Sequence, residues 1–346
     1  MYDRVFQLKK PPFSLAPDSA CVHLTPQYAD VISGLAFGIL DRKGYLTLTA
    51  EAGLGKTTAL RALAQLLTGS NVQSSVIFTP TLTAAEFLEL ALLNFGLTEI
   101  PNSKAQRLKL LEAFLMSSDA GGKVSALIVD EAHQLSTELL EEVRLLGNFE
   151  TEGRKLLQIV LAGQNELNDR LNLSDLWQLK QRIAIRLSLR RLDSAGVEEY
   201  IKFRWSNAGA AGPIPFTESA IHGIAGWSNG IPRLINVICD NALLIGFSRG
   251  LDKADLGEVH DACVELALPV PALAPRQPAF AHPQPVRQAV EQPVPKPVEP
   301  VSAEPPIAGS WAESKPSLLK RWLHLTDSQR PAPVRSKSSI FSLDKP

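Results

Sequence analysis

The sequence predicts an α/β fold, a mainly parallel sheet sandwiched by helices, followed by a small all-helical domain and a disordered Pro-rich tail. Three observations carry this. Short apolar runs alternate with helical patterns as far as Leu192, as they do when parallel strands are joined by crossover helices. From Ala195 to Leu266 only helical periodicity remains. Beyond that, 16 of the 25 prolines crowd into the last 80 residues, where stretches such as Gln292 to Pro300 have no core to bury and stay extended.

Residues 1–30 read as an N-terminal strap, stiff and apolar around Pro12, Phe13 and Pro17. Residues 31–192 form the α/β domain, with strands expected at Tyr45–Thr49, Ser75–Thr79, Ala126–Asp130, Leu157–Leu161 and Ile183–Leu189. Helices are expected at Thr58–Leu67, Ala84–Phe95, Lys104–Met116 and Thr137–Asn148, with a shorter pair from Glu166 to Gln181. The helical domain, residues 193–267, holds Ala195–Ala208, Glu218–Trp227, Pro232–Ser248 and Lys253–Leu266. Ser194, Thr217 and Asp252 are its candidate N-caps, and Pro232 suits a first turn, where its missing N–H costs nothing. In the tail, residues 268–346, one segment stands out at 317–325. Leu318, Leu319, Trp322 and Leu323 share a helical face there beside Lys320 and Arg321, which fits docking to a partner or a membrane surface.

The net charge of −1 hides an acidic body, since residues 1–266 carry 25 Lys+Arg against 30 Asp+Glu and the remainder 10 against 6. Such a body argues against a dedicated nucleic-acid surface. Cys21, Cys239 and Cys263 lie far apart and fit no metal spacing, so they read as small buried hydrophobes in a reducing compartment. With no stretch of 18 apolar residues and no signal-peptide core, the expectation is a soluble, cytoplasmic chain without a transmembrane span, at most peripheral at the inner membrane.

The chemistry concentrates at Ala50-Glu51-Ala52-Gly53-Leu54-Gly55-Lys56-Thr57, between the first strand and the helix that Thr58 opens. This is a phosphate-binding loop in its proper setting. Successive backbone N–H groups must turn inward around a pyrophosphate, which needs the freedom of Gly53 and Gly55, and the helix adds its positive end. Lys56 reaches the β and γ oxygens of ATP, and the Thr57 hydroxyl serves as the Mg²⁺ ligand. Ala50 stands where the first glycine is usual, a departure that keeps a small side chain. A loop of this kind predicts a second strand ending in an acid. Ala126 to Glu131 supplies it, with Asp130 for Mg²⁺ and Glu131 to polarise the attacking water. Asp130-Glu131-Ala132-His133 also spells a helicase signature, but no second nucleotide-clasping domain follows. His133 is therefore read as a polar loop residue rather than a coupling residue.

At this point the chain resembles the AAA+ ATPases of the ExeA/MshM (general secretion pathway protein A-like) family, related to TniB. The resemblance is carried by Phe6-x-Leu8-x-x-x-Pro12-Phe13-Ser14-Leu15-x-Pro17-Asp18, Lys43-Gly44-Tyr45, the stretch from Arg144 to Thr151, Lys155 to Leu167, Gln178 to Ile183 and Gly230 to Asn236. It implies a P-loop NTPase core with a helical lid, Gln164 as a sensor beside the γ-phosphate and Arg233 as a second sensor tying the lid to it. It also implies that Arg182 reaches a neighbouring subunit's nucleotide in an ATP-dependent homo-oligomer, and that the strap lies against the nucleotide-binding core near the base. Arg144, Asn148 and Glu150 match as well, with no role beyond a subunit or partner contact. The family accompanies secretion and pilus assembly, so the expected partner is an envelope-apparatus protein of a secretion, pilus or polysaccharide export machine. The alternative is a TniB-like regulator acting on DNA. A scaffold without hydrolysis is least favoured, because Asp130 and Glu131 are both present.

Overall fold

The structure, a computed structural model, describes residue 2 and residues 6–16, 23–78, 82–151 and 153–269. The expected tail with its 317–325 segment, Pro17, Cys21 and Thr79 lie outside the described residues.

Five parallel strands form the main sheet: β1 (Tyr45–Thr49), β2 (Val72–Ile77), β3 (Val124–Val129), β6 (Leu157–Gly163) and β7 (Ile183–Ser188). Their spatial order is β2-β3-β6-β1-β7. The central β1, β3 and β6 are buried at every position, Thr47, Thr49, Ser125 and Gln158 included, which is why each reads as a mainly apolar run rather than an alternating one. Alternate residues serve opposite faces: Leu127, Val129, Ile159 and Leu161 join one core, Ala126, Ile128, Val160 and Ala162 the other. Helices α3 (Ala84–Asn94), α4 (Lys104–Ala120) and α5 (Thr137–Leu146) cover the first face, while α1 (Pro26–Leu40) and α2 (Lys56–Thr68) cover the second. Between β6 and β7 run α6 (Glu166–Leu171), a 3₁₀ turn at Ser174–Leu176 and α7 (Trp177–Arg182).

Two elements went unread in the sequence. Helix α1 spans the expected boundary between residues 30 and 31, with the Thr25 hydroxyl accepting from the Tyr28 N–H. A small antiparallel hairpin, β4 (Glu150–Thr151) with β5 (Arg154–Lys155), interrupts the path from α5 to β6. The strand expected at Ser75–Thr79 starts earlier, at Val72, because Gln73 and Ser74 pair with β3 despite their polarity.

The helical domain consists of α8 (Ser194–Asn207), α9 (Glu218–Ser228), α10 (Pro232–Ser248) and α11 (Leu256–Glu265) around its own core, which includes the buried Cys239 and Cys263. Two caps differ from expectation. Asp193, not Ser194, accepts the Gly196 N–H, and Asp255, not Asp252, forms a reciprocal capping box with Glu258. The strap also departs from expectation, because it packs on the helical domain rather than on the nucleotide-binding core. Phe13 is buried edge-on against Phe216, and the partly buried Phe6 lies edge-on to Trp205. Arg204 of α8 supplies the donors that fix it, Nε to Pro12 O at 2.6 Å and Nη2 to Ser14 O at 2.9 Å.

The helical domain meets the α/β domain at Gly230. Leu192 N donates to Gly230 O at 2.9 Å, Gly230 has φ +71°, and a Cβ there would sit 1.9 Å from Leu192 O. A Gly230→Ala variant combines left-handed strain with a backbone clash. It is expected to lose about 2–4 kcal/mol and about 5–10 °C in thermal unfolding followed by circular dichroism. Gly69→Ala is the control, since a Cβ there meets nothing; equal midpoints for the two variants would refute this account of the junction.

Candidate functional site

A cleft of about 460 Å³ lies between the carboxyl end of β1, the helical domain and the strap. It sits where the chain leaves the middle of the sheet for the far edge strand β2, the crevice in which open α/β sheets bind ligands. Ala52, Gly53, Leu54, Gly55, Lys56, Thr57 and Thr58 form its floor. Gly53 (φ +83°) and Gly55 (φ +97°) take the left-handed conformations expected of them. Ala50 is buried and pairs its N–H with Gly163 O at 3.1 Å, so the position carries the strand into the loop. Glu51 turns outward into a two-pronged ion pair with Arg191, which lowers its carboxyl pKa.

Lys56 is 5% exposed and donates from Nζ to Ala50 O (3.0 Å) and Glu51 O (3.2 Å), leaving one N–H for a ligand. Burial lowers its pKa, and the carboxylates of Glu131, Asp130 and Glu166 pull it back up. Thr57 Oγ1 donates to Asp130 Oδ2 at 2.6 Å. Asp130 is buried, and its other oxygen accepts the Glu131 N–H at 2.8 Å. That bond helps hold Glu131 at φ +50°, which turns its side chain off the strand line and into the cleft.

Gln164, the residue after β6, and Arg233, in the first turn of α10, both line the cleft. Arg233 N donates to Gly53 O at 3.3 Å, so the helical domain touches the loop directly. Arg182 is not brought in. It precedes Ile183, which pairs with Tyr45 at the start of β1, so its own chain's loop lies about 13 Å away along the strand. Its Nη1 donates instead to Asn148 Oδ1 (2.6 Å) and Arg144 O (3.0 Å). Arg144 pairs with Glu141, and Glu150 with Lys155.

The sequence reading missed the other end of the cleft, where Ser14, Ala16, His23, Tyr28, Leu192, Tyr200, Arg204 and Asn236 face one another. They come from the strap, α1, the interdomain link and two lid helices, and no local pattern marks them. It also underrated His133. Gln164 N approaches His133 Nδ1 at 3.4 Å, Gln164 Nε2 approaches His133 Nε2 at 3.2 Å, and Glu131 Oε2 lies 3.3 Å from Nδ1. The 3₁₀ turn at Ala132–Gln134 swings the ring back beneath the strand ends, which the tetrapeptide alone does not reveal.

Residues 39–171 match the family described as AAA domain. General secretion pathway protein A of Aeromonas hydrophila is 39% identical over 271 residues, covering 77% of this chain and 49% of that protein. An uncharacterized HTH-type transcriptional regulator of Methanocaldococcus jannaschii is 27% identical, covering 46% of this chain and 39% of that protein. The chain thus spans about half or less of the curated relatives it matches. In fold it is similar to Cdc6p from Pyrobaculum aerophilum, with TM-score 0.57, 16% identity and coverage of 73% of this chain and 70% of the other. It is also similar to Drosophila ORC bound to DNA, with TM-score 0.55, 19% identity and coverage of 75% and 67%. Its sheet order, its phosphate-binding loop and its identity to the Aeromonas protein agree: the chain belongs to the AAA+ P-loop proteins related to general secretion pathway protein A.

Proposed function

We propose that this protein binds and hydrolyses ATP with Mg²⁺, and that its nucleotide state drives assembly or remodelling of a cell-envelope secretion, pilus or polysaccharide export apparatus. The convergence of Lys56, Thr57, Glu131, Gln164 and Arg233 on one cleft, with Asp130 behind Thr57, carries the reading. The 39% identity to a protein named for the general secretion pathway supports the biological half.

The residues fit the nucleotide and the metal. Among the described residues no group of three or more His, Cys, Asp and Glu side chains could cage a metal ion. Mg²⁺ held by one hydroxyl and one carboxylate, completed by phosphate oxygens and water, needs no such cage, and the hydrogen-bonded Thr57 and Asp130 oxygens supply that pair. Bound there, Mg²⁺ neutralises charge on the phosphates. Lys56 holds the phosphate oxygens and Glu131 polarises the attacking water. Gln164 positions the terminal phosphate, and Arg233 couples its presence to the helical domain, already bonded to Gly53.

Arg182, fixed by Asn148 at the opposite end of β1, is offered to a neighbouring copy's nucleotide. Arg182→Ala protein mixed with Glu131→Gln protein is expected to regain part of the lost turnover where the two share an interface. No recovery at any ratio in confirmed mixed assemblies would rule out action in trans.

Among the described residues no helix is long and apolar enough to cross a membrane. Contact with the envelope apparatus is assigned to a protein partner. Capture from the native cell with Glu131→Gln protein held in its ATP state, with and without nuclease, tests this. Envelope-apparatus proteins in the eluate support the proposal. Nuclease-sensitive recovery of DNA-associated proteins in their place would overturn it in favour of a DNA-bound regulator.

A further inference from the structure

Helix α1 begins at the cleft, and its first turn touches the phosphate loop. The helix is a firm base for such a contact. Leu35 and Ile39 are fully buried in the core on that face of the sheet, and Gly34 and Gly38 let the backbone lie close to Leu187 and Leu46. Its start is fixed as well, with Pro26 in the first turn and the Thr25 hydroxyl accepting the Tyr28 N–H at 3.2 Å. From this turn Tyr28, partly buried against the core and lining the cleft, donates its hydroxyl to Gly55 O at 2.9 Å. Burial raises the Tyr28 pKa, so the hydroxyl keeps the proton that it donates.

Gly55 is a residue that needs holding. It stands just ahead of α2 at φ +97°, and without a Cβ it has more backbone conformations open to it than other residues. Its carbonyl has two lone pairs. The Ala59 N–H fills one at 2.9 Å, as the first bond of α2, and Tyr28 fills the other. The peptide that follows is trans and planar, so its N–H points opposite to its C=O. Two bonds on Gly55 O therefore set the direction of the Lys56 N–H, which points back out of the helix into the loop. No side chain caps the start of α2, so this donor is left for a ligand.

We propose that Tyr28 is a positioning residue for phosphate binding, whose hydroxyl pre-sets the Gly55–Lys56 peptide so that the Lys56 N–H is already aimed when the diphosphate part of the nucleotide arrives. The proposal rests on the ATPase reading of this cleft. In a Tyr28→Phe variant the ring and its packing remain, but Gly55 O keeps only its bond to Ala59. The phosphates must then order the peptide themselves, which weakens binding. The loss is bounded by the net worth of one hydrogen bond, about three- to tenfold in affinity. Substrate and transition state lie in the same cradle, so the loss falls on KM and spares kcat.

Titration of Tyr28→Phe protein with ADP, and separately with inorganic pyrophosphate, each with Mg²⁺, tests this directly. Both ligands are expected to bind about three- to tenfold more weakly than to the native protein, by similar factors, because both present a diphosphate. In steady-state ATP turnover KM is expected to rise by a like factor while kcat changes less than about twofold. Native pyrophosphate affinity in the variant overturns the proposal, whatever happens to its unfolding midpoint. A tenfold fall in kcat at unchanged KM overturns it too, since that would place the hydroxyl in the chemical step rather than in binding. Lys56→Ala protein separates this proposal from the reading on which it rests. If that protein also binds pyrophosphate natively, the cleft is not a phosphate site and both fall. If it loses pyrophosphate while Tyr28→Phe protein keeps native affinity, the role of Tyr28 alone falls.

Discussion

Lys56→Ala protein is expected to lose ATP affinity by about a hundredfold or more, measured by isothermal titration of the nucleotide. The buried ammonium is the main positive charge at the loop, and it faces Glu131, Asp130 and Glu166. Removing it takes away a charge-assisted hydrogen bond to the phosphates and leaves three carboxylates to repel them. The variant also loses the bonds from Nζ to Ala50 O and Glu51 O that draw the loop around that nitrogen. Native affinity in a folded Lys56→Ala protein would remove the cleft from consideration as a triphosphate site.

Glu131→Gln separates binding from chemistry. ATP affinity is expected to stay within about threefold, while turnover falls by about 10²–10⁴, the usual contribution of a positioned general base. The amide keeps the size of the side chain, so packing is preserved. What it lacks is the charge that polarises water. Turnover equal to that of the native protein, followed by phosphate release, would remove Glu131 from the mechanism.

How much of this was legible in the sequence depended on whether a signal was local. The central strands were, because burial on both faces makes Leu46, Ile128 and Val160 part of mainly apolar runs. Helix α1 was not, and its glycines are the reason. Gly34 and Gly38 look like chain breaks, yet they let the helix lie close on the sheet: a Cβ on Gly38 would come within 2.2 Å of Leu46 Cδ2, and one on Gly34 within 3.1 Å of Leu187 Cδ1. The phosphate loop and the two acids were legible because each is a contiguous motif on a strand end. The far wall of the cleft was not, since Arg204 reads as one more surface charge until the fold brings the carbonyls of Pro12 and Ser14 to it. His133 fell between the two cases: the residue was noticed, but its neighbours Gln164 and Glu131 meet it only across two strand ends.

The seating of the strap on the helical domain has a consequence for how the chain folds. Small helical bundles complete themselves quickly through contacts between residues near in sequence. This one draws Tyr2 and Phe13 into its core. The bond from Arg204 to Pro12 O spans 192 residues and that from Tyr2 to Asp240 spans 238. On a ribosome, the strap, made ahead of the α/β domain, must wait until that whole domain and most of the helices behind it have emerged. The helical domain is therefore completed only after the α/β domain has been made, because its core takes in Tyr2 and Phe13 from the far side of that domain.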